Sequence, residues 1–379
     1  MGFQIAFNRP AVGPREIAAI VESVRNRHIS GNGPFCRQAE QQLMELHLGA
    51  PALTTSSCTS ALEIAARLVS GSHGGEVILP SWTFVTTASA FVMAGMKPVY
   101  ADIDPITLGL DLDSVEKKIT TETRAICLVH YSGQPAQPAE FARLADRHGL
   151  TLIEDNAHGL GGRVGDQVLG TFGGLSTLSF HETKNVTCGE GGALVINDGL
   201  LQDRAEILRE KGTDRAQFLR GSVDKYTWRD LGSSWVLSDL QAAVLSAQLE
   251  QFEAIQNDRI HIWGSYHRQL ASWAEDIGAT LPDSSMNTTS HLFFVLLPSG
   301  KARSQFINHM AASGVQVLTH YEPLHQSPFG SRYADIGSPL PVTEMVSERL
   351  VRLPMYRGMS DSDITHVVGA ARQFSAAAD

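Results

Sequence analysis

Residues 150–158 read LTLIEDNAH, a short apolar run that ends abruptly in polar side chains. Immediately before it, PAEFARLADRHG (138–149) places Phe141, Leu144 and Ala145 on one helical face and stops at Gly149. Helix, glycine, apolar strand, polar end is the signature of one αβ unit, and the pattern repeats on both sides. EVILP (76–80), KPVYADID (97–104) and RAICLVHY (124–131) are strand-like, and SALEIAARLV (60–69) is helical. STLSF (176–180) and GGALVIND (191–198) add two more strands around a glycine-rich turn. The alternation predicts an α/β domain with a central, mostly parallel sheet. Ligands of such sheets bind beyond the carboxyl ends of the strands, so the polar residues there are the candidates for chemistry.

Further along, a long helical region spans about 236–275, HLFFVLLP (291–298) and GVQVLTHY (314–321) read as strands, and a last helix covers about 361–375. These imply a smaller α+β domain. The expected division is 1–245 for the large domain with its N-terminal segment, and 246–379 for the small one.

Composition narrows the class. The chain has 379 residues, 43% of them hydrophobic, which suits a globular protein with a substantial core. A net charge of -10 argues against nucleic acid as a partner. No apolar run reaches the roughly 18–20 residues that cross a bilayer, so no membrane association is expected. The start of the chain lacks a basic stretch followed by an apolar core, so no signal peptide is read. Four cysteines without a CxxC pair predict neither a zinc site nor a disulfide framework, and fit a reducing cytoplasm.

Three separate stretches carry the chemistry. Ser56, Ser57, Cys58 and Thr59 precede a helical pattern, and are either a plain N-cap or a phosphate cradle built on free N–H groups. Glu154 and Asp155 close the strand, as capping residues, as metal ligands or as charge partners of a cofactor. SFHETKN (179–185) holds Lys184, one of only seven lysines among 30 basic residues. A phosphate cradle, a carboxylate and a lysine together are what pyridoxal phosphate needs: the lysine forms a Schiff base, and the acid keeps the ring nitrogen protonated. Such a lysine must shed its proton near neutral pH, which a desolvated, cation-rich pocket promotes. Ser179 adds a hydroxyl for the phosphate. Trp82 and Phe84 in PSWTFV offer aromatic faces, of which Trp82 reads better as core.

TSSCTSALEIAA, PSWTFVTTASAFVMAG, VHYSGQ, IEDNAH, SFHETKNVTCGEGG and SDLQAA together resemble the DegT/DnrJ/EryC1/StrS family of sugar aminotransferases, from FNRPAVG near the N-terminus to LVRLPMYRGMS near the C-terminus. The resemblance implies the pyridoxal-phosphate transferase fold of type I and a homodimer with shared active sites. Lys184 is then the Schiff-base lysine and Asp155 the partner of the pyridine nitrogen. Cys58 and Thr59 hold the phosphate with help from Ser179, and Phe84 stacks on the ring. His158 stands where many members have Gln near the phenolic oxygen. Gly232-Ser233-Ser234 replaces the usual Gly-x-Asn, so Ser234 falls where an Asn reaches the neighbouring subunit's phosphate.

SFHETKN, EKGTDRAQFLRGSVDKYTWRDLGSS and HYEPLH are most similar to a branch that aminates C4 of a dTDP-4-keto-6-deoxyhexose with L-glutamate. The basic span 211–229 (Lys211, Arg215, Arg220, Lys225, Arg229) suits a nucleotide diphosphate or is an ordinary solvated loop. His320, Tyr321 and His325 match family positions near the sugar pocket, or are packing residues. Relatives that act as dehydratases carry histidine in place of the lysine, which Lys184 opposes. A non-catalytic regulatory protein of the same fold is a further reading, which the intact set Thr59, Asp155, Ser179 and Lys184 opposes.

Overall fold

Seven strands form the main sheet: β1 (Ala52–Thr55), β2 (Gly75–Pro80), β3 (Met96–Ala101), β4 (Thr123–Val129), β5 (Thr151–Asp155), β6 (Leu175–Ser179) and β7 (Gly192–Ile196). Their spatial order is β1-β7-β6-β5-β4-β2-β3, and β7 alone runs against the rest. The computed structural model describes residues 3–71, 74–335 and 337–375. Residues 1–2 and 376–379, the outer ends of the two expected domains, lie outside them.

The sheet is covered on both faces, which is why its strands read as unbroken apolar runs. Side chains alternate along each strand. Val77, Leu79, Ala125, Cys127 and Ile153 pack with Ala61, Leu62 and Phe91 on one face. Ile78, Ile126, Leu128 and Leu152 pack with Phe141, Leu144 and Ala145 on the other. The helix Pro138–His148 ends where expected, on Gly149 in the left-handed region at φ +64°.

A second core joins β8 (Phe293–Leu296) and β9 (Leu350–Leu353), an antiparallel pair, to the helices Phe252–Ile277, Gly300–Ala312 and Asp361–Arg372. Ile5, from the N-terminal segment, is buried in this core. The long helical stretch is two helices, Asp239–Leu249 and Phe252–Ile277. They part at Gln251, whose amide donates to Glu16 and to the Ala247 carbonyl. Position 245 therefore lies inside a helix that packs against Pro14–Arg25 and Pro34–Leu46. No helix among the described residues is long and apolar enough to cross a membrane.

One expected strand is corrected. GVQVLTHY makes only isolated bridges, Val315 to Ile5 and Leu318 to Arg352. The rings of His320 and Tyr321 stack at 3.6 Å. Consecutive residues of a strand point to opposite faces, so this stacked pair cannot sit in one.

The carboxyl end of β5 is tied down by Glu154, which is wholly buried. It meets the equally buried His130 at 2.9 Å. It also accepts from the backbone N–H groups of Gly170, Phe172 and Gly173 at 2.8, 2.7 and 2.9 Å. Removing it strands several buried donors at once. Glu154→Ala is expected to lower the free energy of unfolding by about 3–5 kcal/mol in urea titrations.

Candidate active site

Beyond the carboxyl ends of β2, β4, β5 and β6 lies a cavity of about 560 Å³. Cys58, Thr59, Phe84, Asp155, His158, Ser179 and Lys184, scattered over 127 positions of sequence, all line it. Strand ends position most of these residues: Asp155 closes β5, Ser179 closes β6, and Lys184 lies in the turn that follows. That turn is fixed by a bond from the Lys184 N–H to the His181 carbonyl, 2.9 Å.

Asp155 is 5% exposed. It accepts from the Thr87 hydroxyl at 2.8 Å and from the Ala157 N–H at 3.3 Å, and has no ion-pair partner among the described residues. Burial raises its pKa; Thr87, Ala157, Lys184 and His130 oppose the rise. A buried carboxylate that faces a cavity and has no ion-pair partner among the described residues calls for a cationic ligand group. Lys184 shows the reverse effect. Burial, aided by the charge of Arg352 and opposed by Asp155, brings its ammonium down to about 8.

Cys58 begins the helix Cys58–Val69, capped by the Ser57 hydroxyl, which accepts from the Ser60 N–H at 3.1 Å. The cap is Ser57, as the N-cap reading expects, and Cys58 and Thr59 face the cavity. Gly192 of β7 lies so close behind that a Cβ there would fall 2.4 Å from the Cys58 nitrogen and 2.3 Å from the Ser57 carbonyl carbon. Only glycine lets the strand approach this helix start. Burial keeps the Cys58 thiol neutral, well above its ordinary pKa. Phe84 is 55% exposed at the cavity mouth, whereas Trp82 is fully buried against Tyr131 and Tyr321, as its core reading requires.

His158 accepts the Ser132 N–H at Nδ1, 3.2 Å, so its hydrogen sits on Nε2. Ser132 holds a left-handed conformation, φ +61°, to present that N–H. Burial, with Lys184 and Arg352 nearby, holds His158 well below its usual pKa.

Of the expected sugar-side residues, His320 and Tyr321 line the cavity, and His320 also meets the Tyr131 hydroxyl at 2.9 Å. His325 does not. It is clamped between the Ser81 hydroxyl, 2.7 Å, and Glu344, 3.3 Å, and locks its loop to the end of β2. None of the five basic residues of 211–229 reaches this chain's cavity. Lys211 and Arg215 pair with Glu210, Arg220 with Glu206 and Arg229 with Asp214. Lys225 is exposed. Ser234 is exposed and bridges to Glu210, also away from the cavity.

Three cavity residues escaped sequence reasoning. Thr87, in the helix Val85–Met93, had no signal beyond a hydroxyl in an apolar helix. Arg352 was visible as a lone charge inside the run LVRLP, between the buried Val351 and Leu353. His291 was visible as the polar residue opening HLFFVLLP.

A lysine of lowered pKa, a buried unpaired carboxylate and a helix N-terminus around one cavity define a pyridoxal-phosphate enzyme of fold type I, and the group's three demands are met by residues that are present. The chain belongs to the DegT/DnrJ/EryC1/StrS aminotransferase family, which matches residues 10–372 and depends on that cofactor. DesV of S. venezuelae, solved with a ketimine intermediate, is 29% identical with a TM-score of 0.89, over 100% of both chains. The aminotransferase TlmJ from Streptoalloteichus hindustanus is 28% identical over 97% of this chain and 98% of its own, with a TM-score of 0.88. The PLP form of the sugar aminotransferase homologue Spr1654 from Streptococcus pneumoniae, 22% identical over 97% of each chain, shares the fold with a TM-score of 0.88.

The lowered lysine pKa has a direct consequence. Acylation of Lys184 in cofactor-free protein is expected to rise with pH and level off above about 8, rather than climbing on towards 10.5. Peptide mass spectrometry across a pH series follows that single site.

Proposed function

We propose that this protein is an aminotransferase that converts dTDP-4-keto-6-deoxy-D-glucose to a dTDP-4-amino-4,6-dideoxyhexose, with L-glutamate as amino donor. The observation that carries the reading is the pair Lys184 and Asp155, one poised to lose a proton and the other buried without an ion-pair partner among the described residues, on the same cavity. The choice of sugar is supported by the resemblance of SFHETKN and HYEPLH to the C4-aminating branch.

Bound pyridoxal phosphate supplies an electron-accepting ring that carries the amino group from one substrate to the other. Lys184 is its covalent anchor and Asp155 holds the charge of the ring nitrogen. Cys58, Thr59 and Ser179 hold the phosphate, Phe84 covers the ring, and the Nε2–H of His158 is a donor for the phenolic oxygen. When freed, the Lys184 amine takes a proton from the glutamate α-carbon and later delivers one to C4 of the sugar. A pKa near the working pH suits a group that must act as base in one half and acid in the other. Arg352 serves as counter-charge for an anionic group of the substrates. It donates to the Thr319 carbonyl at 2.9 Å and has no acidic partner among the described residues.

We further infer a cytoplasmic homodimer. Trp228 and Leu231 are 77% and 67% exposed beside the basic span. Together with Ser234, whose family counterpart reaches the neighbour's phosphate, they form a surface to offer the adjacent subunit. There the basic residues of 211–229 would meet its nucleotide diphosphate. The dehydratase alternative keeps the cavity but needs a different residue at 184.

NMR of the product formed from dTDP-4-keto-6-deoxyglucose and glutamate is the test. An amine at C4 with stoichiometric 2-oxoglutarate is expected; an intact amino donor, or loss of a sugar hydroxyl without amination, rejects the reading.

A further inference from the structure

His291 lines the cavity and is stacked on His158 with ring centroids 4.2 Å apart. Its protonation pattern follows from a chain of hydrogen bonds with one possible polarity. The carbonyl of Thr289 can only accept. It receives the side-chain amide nitrogens of Gln256, at 2.6 Å, and of Asn185, at 3.0 Å. Both amides are thereby oriented, and the Asn185 nitrogen also donates to the Gln256 oxygen at 3.0 Å. The Asn185 oxygen is left facing His291 Nδ1 at 2.9 Å. An amide oxygen is an acceptor, so His291 Nδ1 must carry the hydrogen. Burial, with the neighbouring charges of Lys184 and Arg259, keeps the ring neutral. A neutral imidazole has one hydrogen, and Nε2 is therefore a bare lone pair. No hydrogen-bond partner of Nε2 exists among the described residues.

We propose that His291 is a specificity-determining acceptor for a hydroxyl group of the sugar, held in that role by Asn185, the residue next to Lys184. The cavity wall is thus polarised. His158 offers an N–H, its neighbour His291 offers a lone pair, and the rings are fixed by different parts of the chain. A donor-bearing ligand satisfies His291, whereas a ligand lacking the donor leaves its lone pair buried and unmatched, at a cost in affinity. Of the two substrates, the sugar carries hydroxyls and the donor's carboxylates carry none. The same Asn185 that sets the histidine tautomer also pins the chain beside the reacting amine, so substrate wall and lysine turn are built on one side chain.

The proposal rests on the sugar-aminotransferase reading, and its test has one arm independent of that reading. In protein labelled with 15N-histidine, long-range proton–nitrogen spectra, assigned with His291→Gln, are expected to show His291 protonated at Nδ1 and bare at Nε2 between pH 6 and 9. An Nε2–H signal or a charged ring overturns the proposal. In the second arm, the two half-reactions of the holoenzyme are timed separately with His291→Phe. The sugar half is expected to slow about tenfold more than the glutamate half. The wild-type preference for the hydroxylated keto sugar over its deoxy analogue should vanish in the variant. Equal slowing of both halves, or an unchanged preference, overturns it. If wild-type protein accepts no keto sugar at all, the functional reading fails while the tautomer result stands.

Discussion

Adjacent residues of a β-strand point to opposite faces of the sheet, and at the end of β5 that constraint separates two carboxylates with opposite fates. Glu154 turns into the protein, where His130 and three backbone N–H groups consume its acceptor capacity. Asp155 turns towards the cavity, where, among the described residues, the Thr87 hydroxyl and the Ala157 N–H alone donate to it. One anchors the loops that frame the site; the other is left with unspent negative charge. The parallel sheet makes this useful, because its strand ends converge on one edge and bring the Lys184 turn and the Cys58 helix start to the same place.

Around Asp155 the cavity is assembled so that charge is scarce and specific. His158, His291 and His320 are all kept neutral by burial and by nearby cations. Lys184 is brought down to about 8 by the same burial. A neutral histidine wall beside it offers directional hydrogen bonds without adding positive charge, which would depress the lysine further. Arg352 is the standing cation, supplied by β9 of the second core, so the two cores meet in the chemistry as well as in the packing.

Much of this was legible in the sequence, for physical reasons that differ by element. Doubly covered strands leave continuous apolar runs with polar ends, so six of the seven main strands were readable, and with them the positions of Asp155 and Ser179; the four-residue β1 (Ala52–Thr55) is too short to leave such a run. Lys184 stood out because lysine is rare in this chain and a glycine turn follows it. The segment 314–321 misled because its apolar alternation is real, yet it ends in the stacked His320–Tyr321 pair. His325 and the basic span carried polar character that local partners absorb, and only three-dimensional contacts reveal which charges are already paired. Thr87, His291 and Arg352 pose the complementary problem: each is a polar residue in an apolar stretch, and its exposure to the cavity depends on how distant elements pack.

The central claim is that Lys184 is the covalent anchor of the cofactor. Borohydride reduction of the pyridoxal-phosphate-loaded protein, followed by peptide mass spectrometry, tests it most directly. The mass of the reduced cofactor is expected on Lys184 alone, in the peptide containing SFHETKN. An unmodified Lys184, or the added mass on another of the seven lysines, would contradict it.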